Sequence, residues 1–352
     1  MVQYISPIDP HVHFRWNEYK TDYMDLAFRD AREVGIIAMI AQGNTTPPLT
    51  TKEAINNYLA RADKYRGDIG FFVHGVLTPD LHQQEDIMKL AEDRNSRVVS
   101  AKIFYVRSTN SGQIEITDEE DQRQSWELGR VHDFNGNRTG HFEDSAFFKG
   151  AFDPKQPLTH STHQDAEAEI AQVERQLKNA YDSYFRGNFI IFHTSNPDTI
   201  DYVDKQRNKL SFKVFTEATW HHIFLNTEDY KIHGNRVKMN PPLRTREMQE
   251  KLLDRVLSGK VDMIGTDHAP HPIERKDDPE KPASGVTAIA FYPKGVELLQ
   301  KLGIKQGVLD NILFYNVNEV YGLKQTAHLV DVEYNPHLWD AYGFNPFSKF
   351  DN

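Results

Sequence analysis

Short apolar segments rich in β-branched residues alternate with longer amphipathic segments along the chain. Seven such apolar segments lie near residues 4–10, 35–42, 70–78, 98–105, 188–194, 213–219 and 261–267. An eighth is expected just before His141, although residues 138–141 contain no apolar run. Strands that alternate with helices predict a parallel sheet with right-handed crossovers, and eight such units close into a barrel. We therefore predict an α/β fold of the (β/α)8 barrel type.

The amphipathic segments between the predicted strands have helical periodicity. Residues 163–186 carry apolar side chains at spacings of three and four, which predicts one buried helix face. The members of that face are Ile170, Val173, Leu177, Ala180, Tyr181 and Tyr184. No Pro- or Ser-rich linker divides the sequence, so we predict one domain over 1–352. Within it we expect inserted loops at about 106–162 and an irregular C-terminal wrap at about 325–352.

The composition excludes several classes of function. The 41 Lys and Arg residues and 51 Asp and Glu residues give a net charge of −10. This balance argues against a nucleic-acid partner, which needs a basic surface. The absence of cysteine excludes disulfides, thiolate catalysis and Cys-ligated metal sites. The first residues lack the basic start and long apolar stretch of a secretory signal, and no segment has the about 18 apolar residues of a membrane helix. We therefore expect no secretory signal and a soluble cytoplasmic protein.

Two ends of predicted strands carry residues suited to metal binding. The first predicted strand ends with Asp9-Pro-His11-Val-His13-Phe-Arg15, and alternate side chains of a strand share one face. His11 and His13 could therefore bind a zinc ion together, although a lone His-x-His pair can also be incidental. Asp267 follows the last strand, where barrel active sites lie. It is a candidate ligand or general base, or alternatively a helix N-cap.

Three further candidates lie between these two ends. Lys102 lies inside an apolar strand, where an amine is costly unless it is paired or chemically altered. Alternatively, it reaches solvent from the strand end. His193 ends an apolar run and could be a hydrogen-bonded core histidine. His141 is the candidate on the fifth strand, and His132 is its competitor.

Together these residues resemble the amidohydrolase superfamily and, within it, the dihydroorotase family, most of all its short bacterial type. The resemblance covers about residues 5–325. The matching motifs are Asp9–Arg15, Gly43–Pro48, Ser100–Phe104, Phe192–Ser195, Thr219–Asn226, Gly265–His271 and Asn316–Leu323. The Asp9–Arg15 and Gly265–His271 motifs are highly specific when they occur together. Each of the other motifs is weak evidence when taken alone.

The resemblance implies a centre of two divalent metal ions, usually Zn²⁺. His11, His13 and Asp267 would bind the more buried ion. His141 and His193 would bind the outer ion. Lys102, carboxylated by carbon dioxide to N6-carboxylysine, would bridge the two.

The resemblance also implies a reaction, the reversible hydrolysis of (S)-dihydroorotate to N-carbamoyl-L-aspartate in pyrimidine biosynthesis. Asp267 would take the proton of the attacking water and pass it to the leaving ring nitrogen. The substrate is then a small anionic cyclic amide. Its carboxylate would be bound by Arg15, Asn44 and His271, and Ser108 and Thr109 would contact it from a loop. Similar short enzymes suggest a homodimer.

Some positions depart from the family pattern. Gln42-Gly43 replaces the usual Met-Pro, the strand before His141 lacks an apolar run, and an insertion follows at about 144–162. Two alternatives therefore stay open. One is a cyclic amidohydrolase acting on hydantoins, dihydropyrimidines or allantoin, whose substrates would leave Arg15 without a carboxylate partner. The other is an inactive relative that serves as a structural partner of another enzyme.

Overall fold

The computed structural model describes residues 1–15, 17–107 and 114–351. Its strands are β1 (Val2–Ile5), β2 (Ile8–Val12), β3 (Ala38–Ala41), β4 (Gly70–Val76), β5 (Val98–Phe104), β6 (Asn137–His141), β7 (Asn188–Ile191), β8 (Lys213–Thr219), β9 (Met263–Gly265) and β10 (Leu329–Val332).

Strands β2 to β9 form one parallel sheet in chain order. The sheet curls so that its two edges approach: Val12 and His268 form a parallel bridge, and the His13 amide donates to the His268 carbonyl at 2.7 Å. The predicted α/β barrel is confirmed, including a strand that ends at His141. All eight carboxyl ends therefore open at one mouth, where barrel enzymes carry their active sites.

The first predicted segment, 4–10, is wrong as a single strand. It divides at Pro7 into β1 and β2. Strand β1 leaves the barrel and pairs antiparallel with β10 near the C-terminus. Proline lacks the N–H needed for a continuous strand, which accounts for the break.

The helices cover the outside of the sheet. They are α1 (Tyr23–Glu33), α2 (Lys52–Ala62), α3 (Leu81–Glu92), α4 (Glu119–Val131), α5 (Thr159–His163), α6 (Ala166–Asp182), α7 (Pro197–Gln206), α8 (Trp220–Phe224), α9 (Asp229–His233), α10 (Arg246–Leu257), α11 (Ile273–Lys276), α12 (Tyr292–Lys301), α13 (Gln306–Asp310) and α14 (Asn316–Val320). Among the described residues, none of these helices combines the length and apolarity required to cross a bilayer.

Helix α6 matches the predicted amphipathic segment only in part. Val173, Leu177 and Ala180 are buried as expected. Tyr181 and Tyr184 are wrongly predicted, because they are 54% and 75% exposed. Tyr184 lies beyond the end of the helix at residue 182 and has a left-handed φ of 57°, so the helical spacing does not apply to it.

The two segments expected to be irregular contain regular elements. Helix α4 and strand β6 lie within 106–162, and β10 lies within the C-terminal segment. In that last segment Trp339 and Phe347 are buried, and the Phe347 ring stacks on Phe291 with centroids 3.9 Å apart. The extent of the single domain, 1–352, stays a prediction.

Candidate active site

The carboxyl ends of the barrel strands bring distant parts of the chain to one pocket. His11 lies in β2, Lys102 in β5, and His141 at the end of β6. His193 and Asp267 follow β7 and β9 by two residues. The predicted site residues that line this pocket are His11, His13, Arg15, Asn44, Lys102, His141, His193 and Asp267.

The tightest part of the site is a cluster of two imidazoles around one carboxylate. Asp267 Oδ1 lies 3.2 Å from His11 Nε2 and 2.9 Å from His13 Nε2. One ligand atom from each of the three residues lies within 4.8 Å of the others. Two imidazole nitrogens and a carboxylate oxygen are a donor set that zinc accepts. This part of the site therefore fits a divalent cation.

Glu217 is a functional residue that the sequence reasoning missed. Its Oε1 lies 2.9 Å from His11 Nδ1, and neither side chain is exposed to solvent. The same oxygen accepts a hydrogen bond from the His193 backbone N–H at 3.3 Å. Glu217 lies inside the apolar strand β8. A carboxylate inside an apolar strand is the feature of the sequence that could have identified it. Glu217 orients His11 so that Nε2 faces Asp267.

A glycine makes room for this pair. A Cβ placed on Gly265 would lie 2.9 Å from Glu217 Cδ and 3.0 Å from His11 Cβ. Both distances are shorter than ordinary carbon contacts. Gly265 in the last barrel strand is therefore required by the close approach of the His11–Glu217 pair.

Electrostatics in the cluster favour positive charge between the carboxylates. Burial disfavours a charged His11, but Glu217 and Asp267 raise its pKa to about 9. Burial also opposes the charge of Asp267, whose pKa is nevertheless held well below its ordinary value by His11 and then His13. Burial lowers the pKa of His13 to about 3. A proton on His11 thus occupies a position where a bound cation could replace it.

The second part of the site contains two more histidines. The rings of His141 and His193 have centroids 4.5 Å apart. His141 Nε2 lies 2.6 Å from Glu143 Oε2. His193 Nδ1 is buried and has no hydrogen-bond partner among the described residues. The competitor, His132, caps the C-terminal end of α4, outside the pocket, with a side chain 35% exposed.

Lys102 is buried beside both parts of the site. Its Nζ donates to Gln42 Oε1 at 2.6 Å and lies 4.6 Å from the centre of the Phe192 ring. Burial lowers its pKa to about 7. The alternative of a lysine that reaches solvent is therefore wrong, because only 1% of the residue is exposed. A buried amine that readily loses its proton is chemically available for modification.

Two of the site residues have strained backbones. His193 has a φ of 39° and Asp267 a φ of 46°, a left-handed region that residues other than glycine rarely adopt. Both follow the ends of barrel strands, so the turn directs their side chains toward the pocket. Such strain is concentrated at functional sites in proteins.

Arg15 and Asn44 also line the pocket. Arg15 is 3% exposed, and its Nε and Nη1 have no acceptor among the described residues. Further lining residues that the sequence did not reveal are Phe104, Met239, Asn240, Ala269, Ser284 and Gly285. A buried guanidinium with unused donors is suited to an anionic ligand.

His271 is placed differently from the other predicted substrate contacts. Its Nε2 lies 2.9 Å from the Ser284 carbonyl oxygen, and its Nδ1 lies 2.8 Å from Tyr19 Oη. Both nitrogens are thus engaged behind the pocket wall. Ser108 and Thr109 lie outside the described residues.

Comparisons with known proteins show what the whole chain is similar to. No family model matches the chain. A curated dihydroorotase from Halobacterium salinarum is 28% identical over 327 residues, which cover 92% of this chain and 72% of that protein. Another from Archaeoglobus fulgidus is 28% identical over 323 residues, 90% of this chain and 72% of that protein. The predicted resemblance to dihydroorotases is confirmed.

The fold also has counterparts among solved structures. Dihydroorotase from Saccharomyces cerevisiae, in complex with 5-fluoroorotic acid, aligns with a TM-score of 0.74 at 19% identity, covering 90% of this chain and 84% of that one. An L-hydantoinase from Arthrobacter aurescens aligns with a TM-score of 0.76 at 20% identity, covering 91% and 71%. At these identities the likeness establishes the fold alone.

Proposed function

We propose that this chain is a metal-dependent cyclic amidohydrolase that reversibly hydrolyses (S)-dihydroorotate to N-carbamoyl-L-aspartate. One observation carries the proposal. The His11, His13 and Asp267 cluster and the buried Arg15 guanidinium line the same pocket. The cluster is suited to bind a metal ion that supports hydrolysis. The Arg15 guanidinium is suited to bind a carboxylate of the substrate. Similarity to dihydroorotases over most of the chain supports the same reading.

The residues of the site would hold two divalent ions, with Zn²⁺ as the expected metal. His11, His13 and Asp267 would hold one, His141 and His193 the other, and Lys102 as N6-carboxylysine would bridge them. When bound, such ions acidify a water molecule and polarise a carbonyl group. The buried neutral form of Lys102, favoured by its lowered pKa, is the form that can react with carbon dioxide.

The protein groups have separate tasks in the reaction. Arg15 would bind the substrate carboxylate through two parallel hydrogen bonds, which fixes the ring in one orientation. Asp267 would accept a proton from the attacking water as the new C–O bond forms. It would return this proton to the ring nitrogen as the C–N bond breaks. Glu217 would keep the His11 ring in place throughout.

Asn44, which lines the same pocket, would assist Arg15. His271 would act on the substrate through Ser284, whose carbonyl it contacts. Thr109 stays a predicted contact. The homodimer, the cytoplasmic location and the place in pyrimidine biosynthesis also stay predictions.

Substrate comparison tests the proposal. The purified protein, loaded with Zn²⁺ in the presence of bicarbonate, is offered dihydroorotate, hydantoin and dihydrouracil. We expect turnover of dihydroorotate with a kcat/KM at least about a hundredfold above that of the two neutral rings, because they leave Arg15 unpaired. Preferential turnover of hydantoin or dihydrouracil would favour the other amidohydrolase class. No bound metal and no turnover would favour an inactive partner protein.

Carboxylation of Lys102 is tested separately. Protein loaded in ¹³C-labelled bicarbonate should show a carbamate signal by NMR, and Lys102→Met should lack it. The variant should also bind fewer zinc ions per chain. A wild-type protein with full metal content and no carbamate signal would contradict the proposed bridge.

A further inference from the structure

Residues 283–285 form a short strap along the substrate side of the pocket. Ser284 and Gly285 of this strap line the pocket together with Arg15 and Asn240. Gly285 has a φ of 136°, and a Cβ at this position would lie 2.6 Å from the Ala269 carbonyl oxygen. The strap is thus pressed closely against the segment that follows Asp267.

Lys276 holds this strap from behind. It is the last residue of α11 and is 5% exposed. Its Nζ donates to three backbone carbonyls, those of Lys238 at 2.9 Å, Ala283 at 2.8 Å and Gly285 at 2.7 Å. The Gly285 amide in turn donates to the Lys238 carbonyl at 2.9 Å.

This geometry requires the ammonium form of Lys276. Burial and then the neighbouring Lys238 lower the pKa of Lys276. However, a neutral amine has only two N–H groups, so it could not donate to all three carbonyls. The three hydrogen bonds therefore keep a positive charge behind the pocket wall.

A second lysine, Lys238, also contacts the strap. Lys238 Nζ donates to Ser284 Oγ, which also lies 3.3 Å from Asn240 Oδ1. Burial and Lys238 lower the pKa of Lys276, and Asp277 is the carboxylate that acts in the opposite direction. It is 44% exposed and forms two hydrogen bonds with Arg236. The hydrogen bonds described for Lys276 thus go to carbonyl oxygens, which leave its charge uncompensated.

We propose that Lys276 is a specificity-determining positioning residue, which holds the 283–285 strap and adds positive charge behind it. Together with Arg15 it would favour cyclic amides that carry a carboxylate over neutral cyclic amides. Charge within a low-dielectric wall acts strongly on a nearby ligand. This local field explains how a chain with a net charge of −10 could take an anionic substrate. The proposal rests on the proposed function and deepens it.

Two substitutions separate the charge from the hydrogen bonds. Lys276→Met removes both, and Lys276→Gln keeps an N–H donor group without the charge. Lys301→Met is the matched control, because Lys301 is 66% exposed on α12 and pairs only with Glu297 among the described residues. Affinities of the zinc-loaded proteins for orotate and uracil are measured by calorimetry. These ligands share a ring and differ in the carboxylate.

We expect both Lys276 variants to bind orotate about tenfold or more weakly, with uracil affinity changed less than about twofold. The KM for dihydroorotate should rise in parallel, while kcat changes by less than about threefold. Zinc content should stay at the wild-type value. Lys301→Met should behave as wild type in every measurement.

Either of two results would overturn the inference. One is an unchanged affinity for orotate in Lys276→Gln, which also decides the matter if Lys276→Met does not fold. The other is an equal loss of affinity for both ligands, as a purely structural role would produce. A wild-type protein that binds orotate but does not hydrolyse dihydroorotate would instead contradict the proposed function.

Discussion

Glu217 Oε1 lies 2.9 Å from His11 Nδ1, and both side chains are completely buried. The two residues are 206 positions apart in the chain. A carboxylate at one imidazole nitrogen fixes the ring and leaves the other nitrogen to act as a ligand. The pair thus links strand β8 to His11 of strand β2, which lies at an edge of the barrel sheet.

Substitution of this carboxylate should weaken metal binding. In Glu217→Gln the shape is kept but the charge that supports His11 is lost. We expect zinc affinity to fall by about tenfold to a hundredfold, measured by competition with a chelator. Glu247→Gln is the control, since its side chain is 77% exposed on α10. Equal zinc affinity in Glu217→Gln and wild type would contradict a supporting role.

The space beside this pair should not tolerate a methyl group. We expect Gly265→Ala to lower the free energy of unfolding by about 1–3 kcal/mol, because the new Cβ would contact Glu217 and His11. Urea unfolding of the metal-free protein measures this. Gly307→Ala in α13 is the matched control, since its Cβ would meet no atom within 4 Å apart from its chain neighbours and the backbone of its own helix. If both variants unfolded at the same urea concentration, the proposed crowding would be disproved.

Lys102 should make the metal-free protein more stable as the pH rises. Burial lowers its pKa from the ordinary 10.5 to about 7. Between these values the unfolded chain binds more protons than the folded one, so stability increases with pH. Lys102→Met removes this contribution. The free energy of unfolding of Lys102→Met, minus that of wild type, should therefore be largest near pH 7 and should decrease toward pH 10.

Urea titrations of both proteins across this pH range give the comparison. Lys301→Met is measured alongside as the control variant, because it removes an exposed lysine that pairs with Glu297. A constant difference between Lys102→Met and wild type at all pH values would mean that Lys102 does not titrate in this range.

Arg15 should govern substrate affinity and leave metal binding intact. We expect Arg15→Met to raise the KM for dihydroorotate about a hundredfold or more, because a two-point charged contact is lost. Zinc content should not change. Arg123→Met is the control, since Arg123 is 59% exposed and pairs with Glu120. A loss of zinc together with activity would show that Arg15 supports the metal site instead.

The two candidate histidines of the fifth strand region form a matched pair. His141→Ala should reduce the number of zinc ions bound per chain by about one, because the ring lies in the pocket beside His193. His132→Ala should bind metal as wild type does, because this residue lies outside the pocket at the end of α4. Elemental analysis of the two proteins distinguishes them, and the opposite result would reverse the assignment.

Much of the architecture could be predicted from local pattern. Alternating strands and helices indicate a barrel whose strand ends meet at one mouth, and this places His11 and Asp267 together. The strand ending at His141 was harder to detect, since its five residues, Asn137–His141, are all buried but include no large apolar side chain. Arg138 lies over the Trp126 ring and donates to Ser125, which are tertiary contacts.

By itself, the sequence determined the order of strands and helices, because each element depends on the pattern of neighbouring residues. It thereby also determined which residues stand at the strand ends. Tertiary structure alone decided that Glu217 supports His11, that Gln42 contacts Lys102, and that Lys276 holds the strap at Ser284. These contacts join segments that are far apart in the sequence. Their distances depend on how the whole barrel closes, and no short segment of sequence encodes that closure.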